Sequence, residues 1–494
     1  MNLSEQEILR GVRGKILVGI VRSMTGRRVL GVSTNTRTLK RGDLFIPLKG
    51  DRYDGHHFLQ EAFQKGAAGA LVMPASKTLL KKWSRLAEKQ DRFLIQVSST
   101  LKALGDLAHL WRKKFQIPVI AVTGSNGKTT TKEMIAQLLK EKYQVLKTEG
   151  NLNNLIGVPL TLFRLHQKHQ AAVIEMGMNH PGEIRRLAEI AAPQIGLVTN
   201  IGPAHLAGLG TMKAVARAKG ELFEQLPSSG MAVINADSFP SLLAPSLRRK
   251  GKKPRLITFG LQKEATYKGY DLKELGEKGT QFSWRHKKKF STVRLPLLGT
   301  HAVSNALAAI AVGDLLSISP AAMKKQLKKF HPAKNRMEPV RVGSVLLLND
   351  SYNANPNSMT AALKVLGFLK PKPSGRRSFD RRVASRRVAL LGGMKELGAY
   401  SKKGHALVGE EVARQKIDFL ITFGRDAKKI AQRACQKGFN RARIRSFDEW
   451  EELRQALPCL VHKNDTLLVK GSRSYRLERV LEEFRKKEFQ RRLV

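Results

Sequence analysis

The chain has few of the features that mark a secreted, disulfide-bonded or membrane-spanning protein. Only two of its 494 residues are cysteines, Cys435 and Cys459, and neither belongs to a CxxC pair, which excludes a disulfide scaffold and a cysteine-based zinc site. No run of about 18 uninterrupted apolar residues occurs, so no segment is predicted to span a bilayer. We therefore expect an unprocessed, cytoplasmic protein.

Acidic residues are scarce relative to basic ones. The chain has 40 Asp and Glu residues against 89 Lys and Arg residues, a formal net charge of +49, which attracts nucleic acid, anionic lipid and phosphorylated small molecules. Basic runs at 248–255, 285–289, 376–387 and 485–492 are scattered along the sequence, which favours solvated surface over a nucleic-acid groove. We expect no specific nucleic-acid partner, although these runs permit weak peripheral membrane association.

The length and the residue pattern predict an α/β protein of three domains, at about 150 residues per domain. A turn-rich first domain covers 1–97, a central domain covers 98–334 and a third domain covers 335–494. Predicted strands lie at 117–122, 171–176, 195–200, 231–235, 255–260, 345–348, 388–391, 419–423 and 466–469. Because helical segments separate these strands, the central domain is predicted to contain a parallel sheet and the third to be Rossmann-like.

A glycine-rich turn between a predicted strand and a predicted helix is the strongest local motif. The turn consists of Gly124, Ser125, Asn126, Gly127, Lys128, Thr129 and Thr130. Its backbone N–H groups and the following helix N-terminus suit phosphate binding, Lys128 suits the outer phosphates, and Thr129 suits Mg²⁺. The spacing departs from GxxxxGK[ST] because the first glycine of the motif is Gly124, yet the strand–turn–helix context predicts an ATP site.

Two further polar residues follow predicted parallel strands. Glu175 ends the apolar segment 171–174, and His205 lies just beyond 195–200. Ligands of open α/β sheets gather at the carboxyl ends of the strands. Both residues are therefore candidates for the metal and phosphate chemistry that a phosphate loop requires.

Several further motifs follow the glycine-rich turn. After the turn at 124–130 come EMG at 175–177, His205, AKGE at 218–221 and DSYNANP at 350–356. With these motifs in this order the chain resembles, over all three domains, the Mur ligases, the ATP-dependent amino-acid and peptide ligases of peptidoglycan precursor synthesis. LKGDRYDGHHF (48–58), EGNLNNLIGVPLT (149–161) and VKGSR (469–473) are most similar to the branch that joins D-alanyl-D-alanine to UDP-N-acetylmuramoyl-tripeptide through an acyl phosphate, with ATP and Mg²⁺.

The resemblance implies roles for specific residues around ATP. Lys128 would contact the phosphates, Thr129 and Glu175 would hold one Mg²⁺, and His205 would help hold a second. Lys219 resembles a lysine that is carbamylated in this family, which would turn a cation into an anion that assists the second metal. Asn305 resembles the asparagine that contacts adenine, and Asp350 resembles the aspartate near the ribose. Arg336 resembles an arginine that approaches the γ-phosphate when the third domain closes. Lys128, Lys219 and Arg336 are thus the implied catalytic residues.

The resemblance also implies where the two other substrates bind. A sugar-nucleotide-binding first domain would use Ser33, Arg37, Lys49 and Gly50 for UDP-N-acetylmuramoyl-tripeptide, together with Asn151, Asn153 and Asn154 of the central domain. The remaining implied substrate residues on the third domain are Asn353, Asn357, Lys470 and Ser472. Of these, Lys470 and Ser472, together with Arg473, would border the D-alanyl-D-alanine side. The family likeness also implies a monomer.

The sequence departs from the family pattern at four places, and alternatives remain. Asn35 and Ala302 stand where the family commonly has Asp and Asn. Gly393 stands where the family has an acidic residue, in a motif that here also contains Lys395. The fourth departure is the Arg-rich insertion 376–387, which has no assigned role. Another Mur ligase or a folylpolyglutamate synthase is one alternative, although the DNPR motif of the diaminopimelate-adding ligase is absent. A P-loop nucleic-acid-binding protein is the other, suggested by the net charge.

Overall fold

The computed structural model describes residues 1–19, 28–51, 53–247, 254–286, 289–369 and 385–486. All nine predicted strands are present, with ends displaced by no more than two residues. The predicted domain boundaries fall in connections between elements. Among the described residues, none of the helices combines the length and apolarity needed to cross a membrane. Most of the Arg-rich insertion lies outside the described residues.

The first region is an α/β layer built on a five-stranded sheet. Its elements are β1 (Leu3–Ser4), α1 (Glu5–Val12), β2 (Lys15–Val18), β3 (Arg28–Val29), β4 (Gly31–Ser33), β5 (Asp43–Phe45), β6 (Lys49–Gly50), β7 (Tyr53–Asp54), α2 (Leu59–Gln64), β8 (Gly69–Val72), α3 (Lys77–Lys89) and β9 (Phe93–Gln96). The sheet order is β2-β9-β8-β5-β4, parallel except for β2. Ser4 and Glu7 form a capping box at the start of α1.

The central region contains a nine-stranded sheet. Its elements are α4 (Thr100–Lys113), β10 (Val119–Thr123), α5 (Lys128–Leu139), β11 (Val145–Lys147), α6 (Gly157–Leu162), β12 (Ala171–Glu175), α7 (Glu183–Ala191), β13 (Ile195–Val198), α8 (Leu206–Leu209), α9 (Met212–Glu224), β14 (Met231–Asn235), α10 (Ala244–Leu247), β15 (Arg255–Gly260), β16 (Tyr267–Glu274), β17 (Thr280–His286), β18 (Lys289–Leu295), α11 (Thr300–Leu315) and α12 (Pro320–Lys328). The order is β11-β12-β10-β13-β14-β15-β16-β17-β18. Pairing is parallel from β11 to β16 and antiparallel beyond.

The antiparallel end of this sheet was not among the sequence predictions, which placed no strand after residue 260 in the central domain. Its buried apolar residues alternate along the chain, with Phe282 and Trp284 on β17 and Val293 and Leu295 on β18. One face of this meander packs on the core while the other carries polar residues, so no continuous apolar run marks it. The period-two alternation is the signal that identifies such strands.

The third region is a six-stranded sheet with helices on both faces. Its elements are β19 (Glu338–Val342), β20 (Val345–Asn349), α13 (Pro356–Phe368), β21 (Arg387–Gly392), α14 (Ser401–Arg414), β22 (Phe419–Phe423), α15 (Lys428–Gln436), β23 (Ile444–Phe447), α16 (Trp450–Leu460), β24 (Thr466–Lys470) and α17 (Arg479–Phe484). The order is β19-β20-β24-β21-β22-β23, parallel except for β19. Central strands such as β20 are buried along their whole length because helices cover both faces.

Two helices place the phosphate loop. Helix α5 begins directly after the loop and packs against α11, whose sequence THAVSNALAAIAVGDL is apolar on nearly all sides. Such a helix is stable only when it is enclosed. It lies between the sheet, α5 and α12, which holds Asn305 beside the loop.

Candidate active site

A cleft of about 780 Å³ lies between the central and third regions. It opens at the carboxyl ends of β10, β12, β13 and β14, where an open α/β sheet binds its ligands. The predicted site residues that line it are Ser125, Asn126, Gly127, Lys128, Thr129, Thr130, Asn151, Asn153, Asn154, Glu175, His205, Asn305, Arg336, Asp350, Asn353, Asn357 and Lys470. Residues far apart in sequence thus meet in one cavity.

The phosphate loop has a backbone that only glycine can supply at two positions. Gly124 has φ +148° and Gly127 has φ +79°. A Cβ at Gly124 would lie 1.9 Å from Thr199 Oγ1, and one at Gly127 would lie 2.4 Å from Asn305 Oδ1. Both glycines therefore permit the left-handed backbone and the close approach that a phosphate cradle requires.

The loop is held in place before any ligand binds. Thr199 Oγ1 donates to Asn126 O at 2.6 Å, and Ser125 Oγ donates to Gly202 O at 3.0 Å. Lys128 Nζ donates to Gly124 O at 2.8 Å and so reaches across the loop. Burial lowers the pKa of Lys128, with a partly opposing contribution from the nearby carboxylate of Glu175.

Glu175 has the form expected of a metal ligand. It ends β12, the strand beside β10, and its residue is only 2% exposed. Its Oε1 accepts a hydrogen bond from Asn153 Nδ2 at 2.9 Å, whereas its Oε2 accepts none from any residue in the described part of the chain. A buried carboxylate oxygen without a hydrogen bond needs a partner, and with the Thr129 hydroxyl nearby on the loop the donor set fits Mg²⁺.

His205 and Lys219, the two candidates for a second metal, lie in different environments. His205 lines the cleft, and its Nδ1 is 2.9 Å from Oε2 of Glu396 in the third region. Lys219 is only 1% exposed and is not among the cleft-lining residues. Burial holds the pKa of Lys219 well below its usual value, and the charge of Lys128 lowers it further.

No group of three or more His, Cys, Asp or Glu side chains forms a metal site within the ranges that the structure describes. A second cation beside His205 would therefore take its other ligands from substrate oxygens, water or a modified Lys219. A neutral, buried amine is the protonation state that reacts with CO₂, so the environment of Lys219 suits a carbamate.

The third region reaches over the phosphate loop through side chains. Arg336 Nη2 donates to Thr129 Oγ1 at 3.0 Å, and its guanidinium lies 3.8 Å from the ring centre of Tyr352. Asn355 Nδ2 donates to Asn126 Oδ1 at 2.7 Å. These contacts close the cleft. Sequence analysis assigned no role to Tyr352 or Asn355, although both belong to the DSYNANP motif.

Asp350 and Lys470 form an ion pair on the third-region wall, with Lys470 buried and Asp350 partly exposed. Lys470 Nζ lies 2.6 Å from Asp350 Oδ2 and also donates to Asn353 O at 2.9 Å. Asp350 Oδ1 accepts from Met337 N at 3.0 Å. Lys470 thus faces the cleft while its charge is paired within the domain.

Besides Lys219 and Gly124, five further predicted site residues do not line this cleft. Ser472 is buried behind it and accepts a hydrogen bond from Lys395 N at 2.8 Å, so it contacts the cleft only through its neighbour. Ser33, Arg37, Lys49 and Gly50 lie in the first region. Arg37, Lys49 and Gly50 are exposed there, whereas Ser33 is buried and donates to Asn35 O at 2.9 Å.

Comparisons with known proteins agree with this architecture. Residues 122–313 match the Mur ligase middle domain, 335–473 the Mur ligase glutamate ligase domain, and 28–112 the Mur ligase family catalytic domain. The chain belongs to the Mur ligase family. The UDP-N-acetylmuramoyl-tripeptide--D-alanyl-D-alanine ligase of Bacillus subtilis is 36% identical over 92% of each chain. The Escherichia coli ligase of the same name is 36% identical over 91% of this chain and 92% of its own.

Solved structures of Mur ligases show the same arrangement. A MurF structure from Acinetobacter baumannii has a TM-score of 0.84 at 29% identity and covers 98% of this chain and 99% of its own. MurF from Thermotoga maritima in complex with ADP has a TM-score of 0.77 at 28% identity, with 93% and 98% covered. The three-domain α/β architecture predicted from the sequence is therefore confirmed.

Proposed function

We propose that this chain is the ATP-dependent ligase that joins D-alanyl-D-alanine to UDP-N-acetylmuramoyl-tripeptide in peptidoglycan precursor synthesis. The products are UDP-N-acetylmuramoyl-pentapeptide, ADP and phosphate, and the reaction takes place in the cytoplasm. The observation that carries the proposal is the near full-length match to ligases of this name, because it spans the two walls of the ATP cleft and the first region together. A match to the phosphate loop alone would not identify the substrate.

The first chemical step activates a carboxylate, which is a poor electrophile. An oxygen of the tripeptide's terminal carboxylate attacks the γ-phosphorus of ATP, the bond to the β-phosphate oxygen breaks, and ADP leaves. Backbone N–H groups of the loop and Lys128 bind the phosphates, and Arg336 approaches them from the opposite wall. Thr129 and Glu175 would hold the Mg²⁺, which neutralises phosphate charge when bound.

The second step forms the peptide bond. The amine of D-alanyl-D-alanine attacks the acyl carbon, a tetrahedral intermediate forms, and inorganic phosphate leaves as the amine loses a proton. The closed cleft excludes water, which would otherwise hydrolyse the acyl phosphate. Arg336 and Asn355 contribute to this closure because both bind the phosphate loop from the third region.

The two substrates enter from different sides of the cleft. We assign the uridine nucleotide to the first region through Ser33, Arg37, Lys49 and Gly50, and the peptide to the cleft floor through Asn151, Asn153 and Asn154. Asn353, Asn357 and Lys470 face the dipeptide, with Ser472 supporting that wall from behind. Asn305 and Asp350 contact the adenosine.

The test is phosphate release from ATP and Mg²⁺ with each peptide substrate supplied or omitted, using lysine- and diaminopimelate-containing tripeptides. Release that requires every component and accompanies a UDP-muramyl-pentapeptide mass is the expected result. Release without the dipeptide, or no turnover with either tripeptide, would assign the chain another ligase substrate. Steeply salt-dependent nucleic-acid binding with a sequence or structure preference would instead favour the nucleic-acid-binding alternative, whereas nonspecific binding lost at moderate salt would only reflect the net charge.

A further inference from the structure

A fully buried lysine lies behind the phosphate loop. Lys132 is on α5, one turn after Lys128, and it is 0% exposed. Its Nζ donates to Thr148 O at 2.6 Å and lies 3.0 Å from Glu133 Oε1. Lysine is almost never fully buried without a specific set of partners, so this position has a defined role.

The same ammonium group faces the candidate metal ligand. Lys132 Nζ is 3.8 Å from Glu175 Oε2, the carboxylate oxygen that accepts no hydrogen bond from the described residues. This separation is too long for a hydrogen bond but short enough for a strong charge interaction at a buried site. The positive charge of Lys132 therefore attracts this oxygen, while the lone pairs of the oxygen stay available to a metal ion.

Thr148 connects the two residues rigidly. Its backbone oxygen accepts from Lys132 Nζ, and its Oγ1 accepts from Glu175 N at 2.9 Å. Asn153 Nδ2 fixes the other carboxylate oxygen of Glu175. Neighbouring residues therefore fix the backbone of Glu175, one of its carboxylate oxygens and the charge around it. Among the described contacts, its Oε2 remains available to coordinate a metal.

We propose that Lys132 is a positioning residue that holds the carboxylate of Glu175 ready for the nucleotide-bound metal. This inference rests on the proposed function, because it takes Glu175 as a ligand of Mg²⁺. Without the Lys132 charge, Glu175 still interacts with the charge of Lys128 on the same helix. Glu175 would then be drawn toward Lys128, which weakens both metal binding and the phosphate contact of that lysine.

The chain offers a matched control for a merely structural role. Lys147 also pairs with Glu133, through the other oxygen, but its side chain is 33% exposed and its recorded ion pair does not extend to Glu175. Lys132→Met and Lys147→Met each remove one lysine partner of Glu133. Only Lys132→Met removes positive charge beside Glu175.

The experiment measures Mn²⁺ binding to the full chain in the presence of ADP by electron paramagnetic resonance, and ADP binding without metal by calorimetry. Lys132→Met is expected to weaken Mn²⁺ binding by about tenfold or more, the range for supporting residues of metal sites. Lys147→Met and the charge-preserving Lys132→Arg should bind Mn²⁺ much as the original chain does. Circular dichroism establishes that each variant is folded.

The outcomes separate the two proposals. Equal Mn²⁺ affinity in folded Lys132→Met and the original chain would overturn the role of Lys132 alone. Equal losses of Mn²⁺ affinity in Lys132→Met and Lys147→Met would also overturn it. The loss would then come from removing an ion pair to Glu133 and not from removing the charge beside Glu175. If Lys132→Met does not fold, the folded Lys132→Arg variant provides the test. Loss of its Mn²⁺ binding contradicts the proposal, and retained Mn²⁺ binding supports it. Failure of the original chain to bind Mn²⁺ with ADP would contradict the metal role of Glu175 and, with it, the proposed function.

Discussion

Two polar turns of this protein, both rich in Asn, Ser and Thr, differ in where their hydrogen-bond partners come from. Asn126 in the phosphate loop is bonded by Thr199 from a neighbouring strand end and by Asn355 from the third region. The turn that begins at Ser33 has bonds within itself, with Ser33 Oγ donating to Asn35 O and Arg37 N donating to Asn35 Oδ1, and one from Lys65 Nζ to Thr36 O at 3.1 Å within the same region. The phosphate loop is therefore fixed from two regions of the molecule, whereas these bonds to the first-region turn all come from its own region.

Under the proposed function, the phosphate loop performs chemistry and the first-region turn only binds a nucleotide. Stabilising charge in a transition state requires donors that are already in place. Holding a nucleotide that does not react requires only complementary contacts, which contribute equally to the ground and transition states. We therefore expect changes in the phosphate loop to lower kcat, and changes in the first-region turn to raise KM.

Removing the loop lysine tests the preorganised side of the comparison. Lys128→Ala is expected to lower kcat by about 10²–10³, the loss typical of one preorganised electrostatic donor. Lys140→Ala, at the exposed end of the same helix, should leave phosphate release unchanged. Near-normal turnover by Lys128→Ala would show that the loop is not the site of phosphoryl transfer.

Burial of Lys219 on α9 should lower the stability of the folded chain below the unfolded pKa of lysine. Because burial lowers the pKa of Lys219 well below 10.5, the unfolded chain binds a proton that the folded chain does not. The free energy of unfolding should therefore rise with pH from the lowered pKa up to the unfolded value of about 10.4, and then level off. Urea unfolding of Lys219→Met should lack this rise.

Lys213→Met, on the exposed side of the same helix, provides the control for that measurement and should retain the pH dependence of the original chain. A rise of equal size in Lys219→Met would mean that another group is responsible. In parallel, added bicarbonate should increase the activity of the original chain if Lys219 acts as a carbamate.

The cross-domain bond between Asn355 and Asn126 sharpens the comparison, because it is a long-range bond that depends on closure. Asn355→Ala removes the bond to Asn126, worth about 1 kcal/mol, so kcat/KM for ATP should fall about fivefold. It also removes the bond that Asn355 Oδ1 accepts from Ser358 N at the start of α13, and for that loss the control variant below, also an Asn that caps a short helical turn, is the match. Steady-state kinetics measures kcat/KM, and small-angle scattering with ADP reports closure. Asn440→Ala, which removes a bond to Ala442 N within the third region, should change neither quantity.

A change in the first-region turn should give the smallest effect. Arg37→Ala removes an exposed cation, so KM for UDP-N-acetylmuramoyl-tripeptide should rise by no more than about fivefold, the value of a contact near 1 kcal/mol. The value of kcat should stay constant. Arg85→Ala on α3 is the control, and a fall in kcat for Arg37→Ala would place this turn in the reacting site.

Strand positions and the phosphate loop could be predicted because each depends on local sequence. Apolar runs such as that of β14 mark buried strands, and the glycines of the loop mark backbone that other residues cannot adopt. The meander β16–β18 could not be found by continuous apolar runs, because the buried apolar residues of β17 and β18 are separated by polar ones. Asn355 could be noticed within its motif, but its partner Asn126 lies 229 residues away.

The sequence by itself determined the α/β alternation, the phosphate loop and the list of polar residues at strand ends, since each is written in a short stretch of chain. Only the tertiary structure decided which of those residues share the cleft, that Ser472 lies behind it, and that Lys132 faces Glu175. The physical reason is that burial and electrostatic partnership depend on distances between segments remote in sequence. A buried lysine and a solvated one look alike in a sequence, and only the packed fold distinguishes them.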